Sequence, residues 1–208
     1  MSTYKEFGYT SEDAKPAHAY LIPSLLKLLN PATNKKIIDL GCGNGYVVRQ
    51  LIKLGFDAYG TDASEEGIAI AKSFFSDRFF LQDLTKDTLP GGIQHIKFDT
   101  IISTEVIEHL YSPADFIAFC KNVLKESGGQ IIISTPYHGY LKNLALAITN
   151  SFDKHWHPLR EGGHIKFWSR HTLSALLEEH GFEVISFLGS GRLPFLWKSM
   201  LIKAQLKV

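Results

Sequence analysis

Apolar residues follow two rhythms along this chain, and from residue 36 onward the two alternate. Short β-branched or aromatic runs at 36–40, 57–61, 78–81, 98–103 and 130–134 have the length and composition of strands. Between them lie segments whose apolar residues recur three and four apart. Val47, Val48, Leu51 and Leu54, stopped by Gly55, spell one helix. A second, over 64–75, opens on Ser64 with Glu65 and Glu66 behind it, the cap and acidic first turn that a helix start favours. Ser112-Pro113 opens a third over 113–125. Strands alternating with helices predict a doubly wound α/β sheet, mostly parallel.

The rhythm breaks at Thr135-Pro136. Residues 136–168 have no place in the alternation, and with their aromatic residues and no low-complexity tract they predict an ordered substrate cap. A helix over 169–180, closed by Gly181, follows. Strands at 182–188 and 197–206 are joined without a helix, which predicts an antiparallel final pair. Ahead of the sheet, residues 10–30 predict one or two helices, interrupted near Pro23 and closed before Pro31. The chain thus reads as one domain: leading helices in 1–34, a ligand-binding core in 35–135, a cap insertion in 136–168, and the final helix and strands in 169–208.

Within the core, residues 37–45 read Ile-Ile-Asp-Leu-Gly-Cys-Gly-Asn-Gly, a strand running into a glycine-rich turn and then a helix. Such a turn lets a ligand lie against bare backbone at a helix N-terminus. It is not a dinucleotide fingerprint, because the third glycine of G-x-G-x-x-G would fall on Tyr46 or Val48. No Lys-Ser or Lys-Thr follows, so it is not a P-loop. Ligands of open parallel sheets bind beyond the C-terminal ends of the strands, where Asp39, Asp62 and Asp83 sit. A carboxylate ending the second strand can accept both hydrogen bonds of a ribose diol. One after the third can accept from an adenine amine, although an Asp at a strand end is also an ordinary helix cap.

The pattern Asp-x-Gly-x-Gly-x-Gly resembles the first motif of class I methyltransferases, which bind S-adenosylmethionine (SAM). The match covers about residues 35–135 and extends in sheet order to the end. The resemblance implies a Rossmann-like, seven-stranded sheet with an antiparallel final strand. It implies that Gly41 and Gly43 approach the methionyl end of SAM, Asp62 the ribose and Asp83 the adenine, with Asp39, Cys42, Ala63, Leu84 and Thr104 also in the cofactor-binding set.

The stretch after the fourth strand reads Ser103-Thr104-Glu105-Val106-Ile107-Glu108-His109-Leu110. In a helical turn, Glu105, Glu108 and His109 would share one face. Two carboxylates beside an imidazole suit acid–base work, with His109 taking the acceptor's proton. They equally suit a divalent cation, Mg²⁺, Mn²⁺ or Zn²⁺. A solvated helix face is the bland alternative. Glu-x-x-Glu-His at this place looks like the ubiquinone-biosynthesis O-methyltransferases and the small-RNA 2′-O-methyltransferases. In the RNA enzymes it binds a divalent cation together with a later His, which by resemblance is His164 here. Five of the nine histidines fall between 138 and 171; His164 leads as a site residue and His138 comes second, while His155, His157 and His171 read as bland. Tyr137, Tyr140, Trp156 and Trp168 either stack on a substrate or pack the cap. The apolar run 141–148 suits a cap helix facing a greasy substrate or lipid, with buried packing the simpler reading.

Composition narrows the picture further. The formal net charge is +1, but it divides into 13 Lys+Arg against 16 Asp+Glu in 1–135 and 9 against 5 in 136–208. The basic back end favours an anionic substrate or peripheral contact with a membrane surface, and is too weak to argue for nucleic acid. The two cysteines, Cys42 and Cys120, do not make a disulfide framework, so a reducing cytoplasm is the default. No signal core or membrane-length run occurs. Together these readings predict a SAM-dependent methyltransferase acting on a hydroxyl of a small molecule. The rivals are an amine acceptor, an RNA 3′ end, or a SAM-binding regulatory protein without catalysis. A nicotinamide oxidoreductase is weakened by Tyr46 and Val48, and the oligomeric state has no signature.

Overall fold

The computed structural model describes residues 8–156, 159 and 161–207. Its strands are β1 (Lys36–Leu40), β2 (Asp57–Asp62), β3 (Phe79–Leu81), β4 (Thr100–Thr104), β5 (Gln130–Pro136), β6 (Phe182–Ser190) and β7 (Ser199–Leu206). They form one sheet in the order β3-β2-β1-β4-β5-β7-β6, with β7 antiparallel to both of its neighbours and the remaining pairs parallel. The fold class and the antiparallel final pair are as the alternation predicts. The strand order reverses between β1 and β4, so the loops after these two strands diverge and leave a crevice at their C-terminal ends.

The central strands carry unbroken apolar runs because both sheet faces are covered. Ile37, Ile38 and Leu40 of β1, and Ile131, Ile132 and Ile133 of β5, are fully buried. One face packs on α4 (Pro113–Val123) and α7 (Arg170–Glu179); the other packs on α1 (His18–Leu28), α2 (Tyr46–Lys53) and α3 (Glu65–Lys72). Buried polar side chains tie the far edge of the sheet. The Asn34 amide donates to Thr100 Oγ1 and Gln130 Oε1, both at 2.6 Å, and Lys203 Nζ donates to the Leu28 carbonyl at 2.7 Å.

Two expectations change. Residues 18–28 form one helix that runs through Pro23. Burial of Leu21, Leu25 and Leu28 holds it, and the Ser24 and Ser190 hydroxyls both donate to the Tyr20 carbonyl in the same turn. Packing thus outweighs the missing proline N–H. The run 141–148 does form a helix, α5 (Tyr140–Ile148), followed by the short α6 (Phe152–Trp156). Its apolar face is not buried, however: Leu141, Leu144 and Ile148 are exposed while Lys142 is buried. Element ends elsewhere differ by one to three residues from the sequence reading, the largest difference being at the end of α3.

Candidate active site

The crevice holds one cavity of about 520 Å³. Its first wall is the glycine turn. Gly41 and Cys42 donate their N–H groups to the Thr61 carbonyl at 2.8 and 2.9 Å, which ties the turn to the end of β2. Gly41, Gly43 and Gly45 all have positive φ (86°, 54° and 72°), the region where a side chain is strained. Close approach adds a second requirement. A Cβ on Gly41 would lie 2.4 Å from Val106, and one on Gly43 2.3 Å from the Tyr9 hydroxyl.

Asp62 closes this wall. Its Oδ2 accepts the Gly43 N–H at 2.7 Å and its Oδ1 the Ser64 N–H at 2.8 Å, so one carboxylate braces both the turn and the start of α3. Asp83 accepts from the Thr85 N–H and hydroxyl, as a capping Asp does, while also lining the cavity. Of the nine residues assigned to the cofactor from sequence, Gly41, Cys42, Gly43, Asp62, Ala63, Asp83, Leu84 and Thr104 line the cavity. Asp39 does not. Its side chain is buried beneath the turn, neither oxygen has a hydrogen-bond partner among the described residues, and burial with the nearby Asp62 charge pushes its pKa up to about 8.

The opposite wall comes from the segment after β4. The expected helical turn carrying Glu105, Glu108 and His109 on one face does not form. Glu105 sits at φ +55° and only Ile107–His109 make a 3₁₀ turn. The reason lies in the strand ends beside it. Ser134 Oγ donates to Glu105 Oε1 at 2.8 Å and Ser199 Oγ to Oε2 at 3.1 Å, drawing that carboxylate toward β5 and β7. Glu105 still lines the cavity, and burial raises its pKa to about 7. Glu108 is more deeply buried. Thr135 Oγ1 donates to its Oε2 at 3.0 Å, its Oε1 has no hydrogen-bond partner among the described residues, and burial together with Glu105 raises its pKa.

His109 is held from a distance of more than fifty residues in sequence. Its Nδ1 lies 2.9 Å from the Gly162 carbonyl and 3.2 Å from that of Gly163. Carbonyls only accept, so Nδ1 carries the proton and the lone pair of the neutral ring is on Nε2, 4.0 Å from Glu108 Oε1. The Ile165 and Lys166 N–H groups donate to the Glu108 carbonyl, docking the end of the insertion on the 3₁₀ turn. That docking brings the His164 ring within 5.0 Å of the His109 ring. Glu108, His109 and His164 each offer one ligand atom, all within 4.8 Å of one another; Glu105 is not in this group.

The other sequence candidates lie elsewhere. His138 is buried against Asn143 and Phe167, where burial lowers its pKa to about 4, and it does not line the cavity. His171 is exposed on α7, and His157 and the His155 side chain lie outside the described residues. Tyr137 packs on Trp197, Trp156 on Phe152 and Phe167, and Tyr140 faces solvent; neither they nor Trp168 line the cavity. Sequence reading missed Tyr9, Lys15 and His18 as lining residues. The segment before α1 is strapped over the glycine turn by Asn44, whose amide donates to the Ser11 and Asp13 carbonyls, and by Arg49, which donates to that of Glu12. Nothing local in residues 9–18 signals such a strap.

Comparisons with known proteins agree with this geometry. A methyltransferase domain family matches residues 14–187. A ubiquinone biosynthesis O-methyltransferase of Dinoroseobacter shibae is 28% identical over 167 residues, covering 79% of this chain and 66% of that protein; the chain thus spans about two thirds of that relative's length. One from Glaesserella parasuis is 35% identical over 136 residues, 59% of this chain and 56% of that protein. Among solved structures, magnesium protoporphyrin IX methyltransferase from Synechocystis with bound SAH superposes with a TM-score of 0.67 at 19% identity, covering 90% of this chain and 82% of that one. A SAM-dependent methyltransferase from Mesorhizobium loti gives 0.66 at 22% identity, covering 88% and 96%. With a glycine turn and a strand-end carboxylate on one wall of its crevice and the family match over most of its length, this chain belongs to the class I SAM-dependent methyltransferases.

Proposed function

We propose that the enzyme methylates a hydroxyl of a small molecule with an apolar body, and that His109 takes the hydroxyl proton. The observation that carries this reading is the continuity of the cavity, which is lined by both the glycine turn and the Glu108–His109 pair. SAM supplies an electrophilic methyl group; the bond to the acceptor oxygen forms as the sulfur–carbon bond breaks, leaving S-adenosylhomocysteine. Gly41 and Gly43 give the methionyl end bare backbone, Lys15 offers its carboxylate a cation, and Asp62 and Asp83 accept from ribose and adenine.

The chain's own contribution to chemistry is orientation and a proton sink. The carbonyls of Gly162 and Gly163 hold the imidazole with Nε2 as the base. A proton arriving there makes an imidazolium 4.0 Å from Glu108 Oε1, and that charge in turn favours the ionised form of the Glu108 carboxyl. Leu21, Val106, Leu110 and Tyr111 give the acceptor's body apolar surroundings. A hydroxylated ring precursor of ubiquinone is the first acceptor to test, following the printed names of the relatives.

A second reading rests on the 4.8 Å cluster. Glu108, His109 and His164 present one oxygen and two imidazoles, a donor set that fits a divalent cation, and Glu108 Oε1 has no hydrogen-bond partner among the described residues. A cation held there would lower the pKa of the acceptor hydroxyl. Calorimetry on chelator-treated protein, with SAM and then with Mg²⁺, Mn²⁺ and Zn²⁺, tests both readings. SAM binding with no metal isotherm leaves His109 as the base. A metal isotherm that vanishes in His109→Ala selects the cation. Absence of SAM binding overturns both.

A further inference from the structure

The charge of the cavity is one-sided. Among the described residues that line it, Asp62, Asp83, Glu105 and Glu108 are acidic, and Lys15 is the only lysine or arginine. Asp62 and Asp83 are tied to backbone N–H groups at the strand ends, and Glu108 stands between Thr135 and His109. Glu105 is held differently. Its carboxylate accepts only from the neutral hydroxyls of Ser134 and Ser199, and among the described residues it makes no ion pair. Lys142 acts on it from α5, but its ammonium donates to the Lys198 carbonyl instead. A carboxylate taken out of water with no cation beside it is costly, and a positively charged ligand in the cavity removes that cost.

Placement says which ligand charge it meets. Glu105 is the first residue after β4, and β4 pairs with β1, so its loop leaves the sheet beside the glycine turn. The two walls of the cavity touch there: Val106 Cγ2 lies 2.4 Å from where a Cβ on Gly41 would stand. The sheet order β3-β2-β1-β4 runs from Asp83 through Asp62 and the glycine turn to Glu105. SAM laid along it, adenine at Asp83 and ribose at Asp62, would bring the sulfur that joins ribose to methionyl chain to the glycine turn. Its methyl group would then face the loop after β4, where His109 stands. Glu105 also sits at φ +55°, a region that a side chain occupies only at a cost, and such outliers gather at active sites and ligand clamps.

We propose that Glu105 recognises the positive charge of the methylsulfonium, and so makes the site select SAM over S-adenosylhomocysteine, which has lost that charge. SAM carries a sulfonium, an ammonium and a carboxylate; the product keeps only the last two and is neutral overall. Methyl transfer therefore removes the charge that Glu105 answers, and the carboxylate that holds the reactant no longer holds the product. This role requires SAM as the cofactor and stands whatever the acceptor or the base.

The test is calorimetry of the chelator-treated parent and of Glu105→Gln at about pH 8, above the value of about 7 to which burial raises Glu105. The ligands are SAM, S-adenosylhomocysteine, and sinefungin, in which a charged amine replaces the methylsulfonium. Glutamine keeps the shape of the side chain, and the Ser134 and Ser199 hydroxyls can turn to accept as well as donate. Glu105→Gln is expected to bind SAM and sinefungin about 10–30-fold more weakly, with affinity for S-adenosylhomocysteine within a factor of about two of the parent's. If it misfolds by circular dichroism, Glu105→Ala replaces it with the same expected selectivity. Equal weakening of all three ligands would assign Glu105 to a group that SAM and its product share, and would overturn the proposal. So would unchanged SAM affinity, or loss for SAM with sinefungin retained, which would point to the methyl group rather than its charge. A parent that binds no SAM would overturn the cofactor reading as well, whereas the other outcomes touch Glu105 alone.

Discussion

The two walls of the cavity are made of different material. The wall between β1 and β2 is backbone, with three glycines at positive φ, N–H groups tied to the Thr61 carbonyl, and one carboxylate bracing the turn. The wall after β4 is side chains. His109, Glu108 and Glu105 are positioned by partners on β5, β7 and the end of the insertion. A backbone wall needs its glycines next to one another in sequence, whereas a side-chain wall draws on segments tens of residues apart. On the reading proposed above, the first holds the cofactor that the family shares, and the second is free to differ.

If that division is right, substitutions on the two walls should have separable effects. The largest belongs to the side-chain wall. His109→Gln should lower kcat by about 10²–10⁴-fold, the usual contribution of a general base, and leave the SAM dissociation constant within a factor of two or so. Equal loss of SAM affinity would break the comparison. Next comes the backbone wall. In Gly45→Ala the new Cβ would lie 2.6 Å from Phe79 and 2.8 Å from Ala71 at φ +72°. Strain and overpacking together should cost about 3 kcal/mol, a fall in Tm of about 10 °C by thermal denaturation.

A smaller effect is expected at Asp62. Asp62→Ala removes charge-assisted acceptors from the ribose position and the brace on the Gly43 N–H, so SAM affinity should fall about 10–100-fold by calorimetry. The smallest effect on the site itself concerns Asp39, whose folded-state pKa is raised to about 8. The folded protein therefore keeps a proton that the unfolded chain releases near pH 4. Stability should decline as pH rises through that window and level off above about pH 8. Asp39→Asn, which mimics the neutral acid, should flatten this decline and raise Tm by about 10 °C at pH 8 while changing little at pH 4. A pH profile identical to the parent's would show that Asp39 does not carry the proton.

How legible the site was from sequence follows the same division. The glycine turn, Asp62 and Asp83 could be placed because each follows a strand in a regular alternation, and the topology carries every strand end to one edge of the sheet. Glu105 could not be oriented. Whether its segment turns as a helix depends on Ser134 and Ser199, which approach only once β5 and β7 are paired. The strap of residues 9–18 was equally silent, because its anchors, Asn44 and Arg49, hold backbone carbonyls that any sequence possesses.

Sequence by itself determined the sheet, its antiparallel closing pair and the backbone wall of the cavity. Local periodicity, strand composition and positive-φ glycines encode these features within a few residues of where they act. His164, already ahead of His138 in the sequence reading, does lie beside the His109 ring, whereas only the tertiary structure decided that Asp39 lies beneath the turn rather than in the cavity. It alone also decided that α5 buries its lysine and exposes its leucines. Each of these depends on which distant group occupies the neighbouring space, and burial is a property of the packed chain rather than of any residue in it.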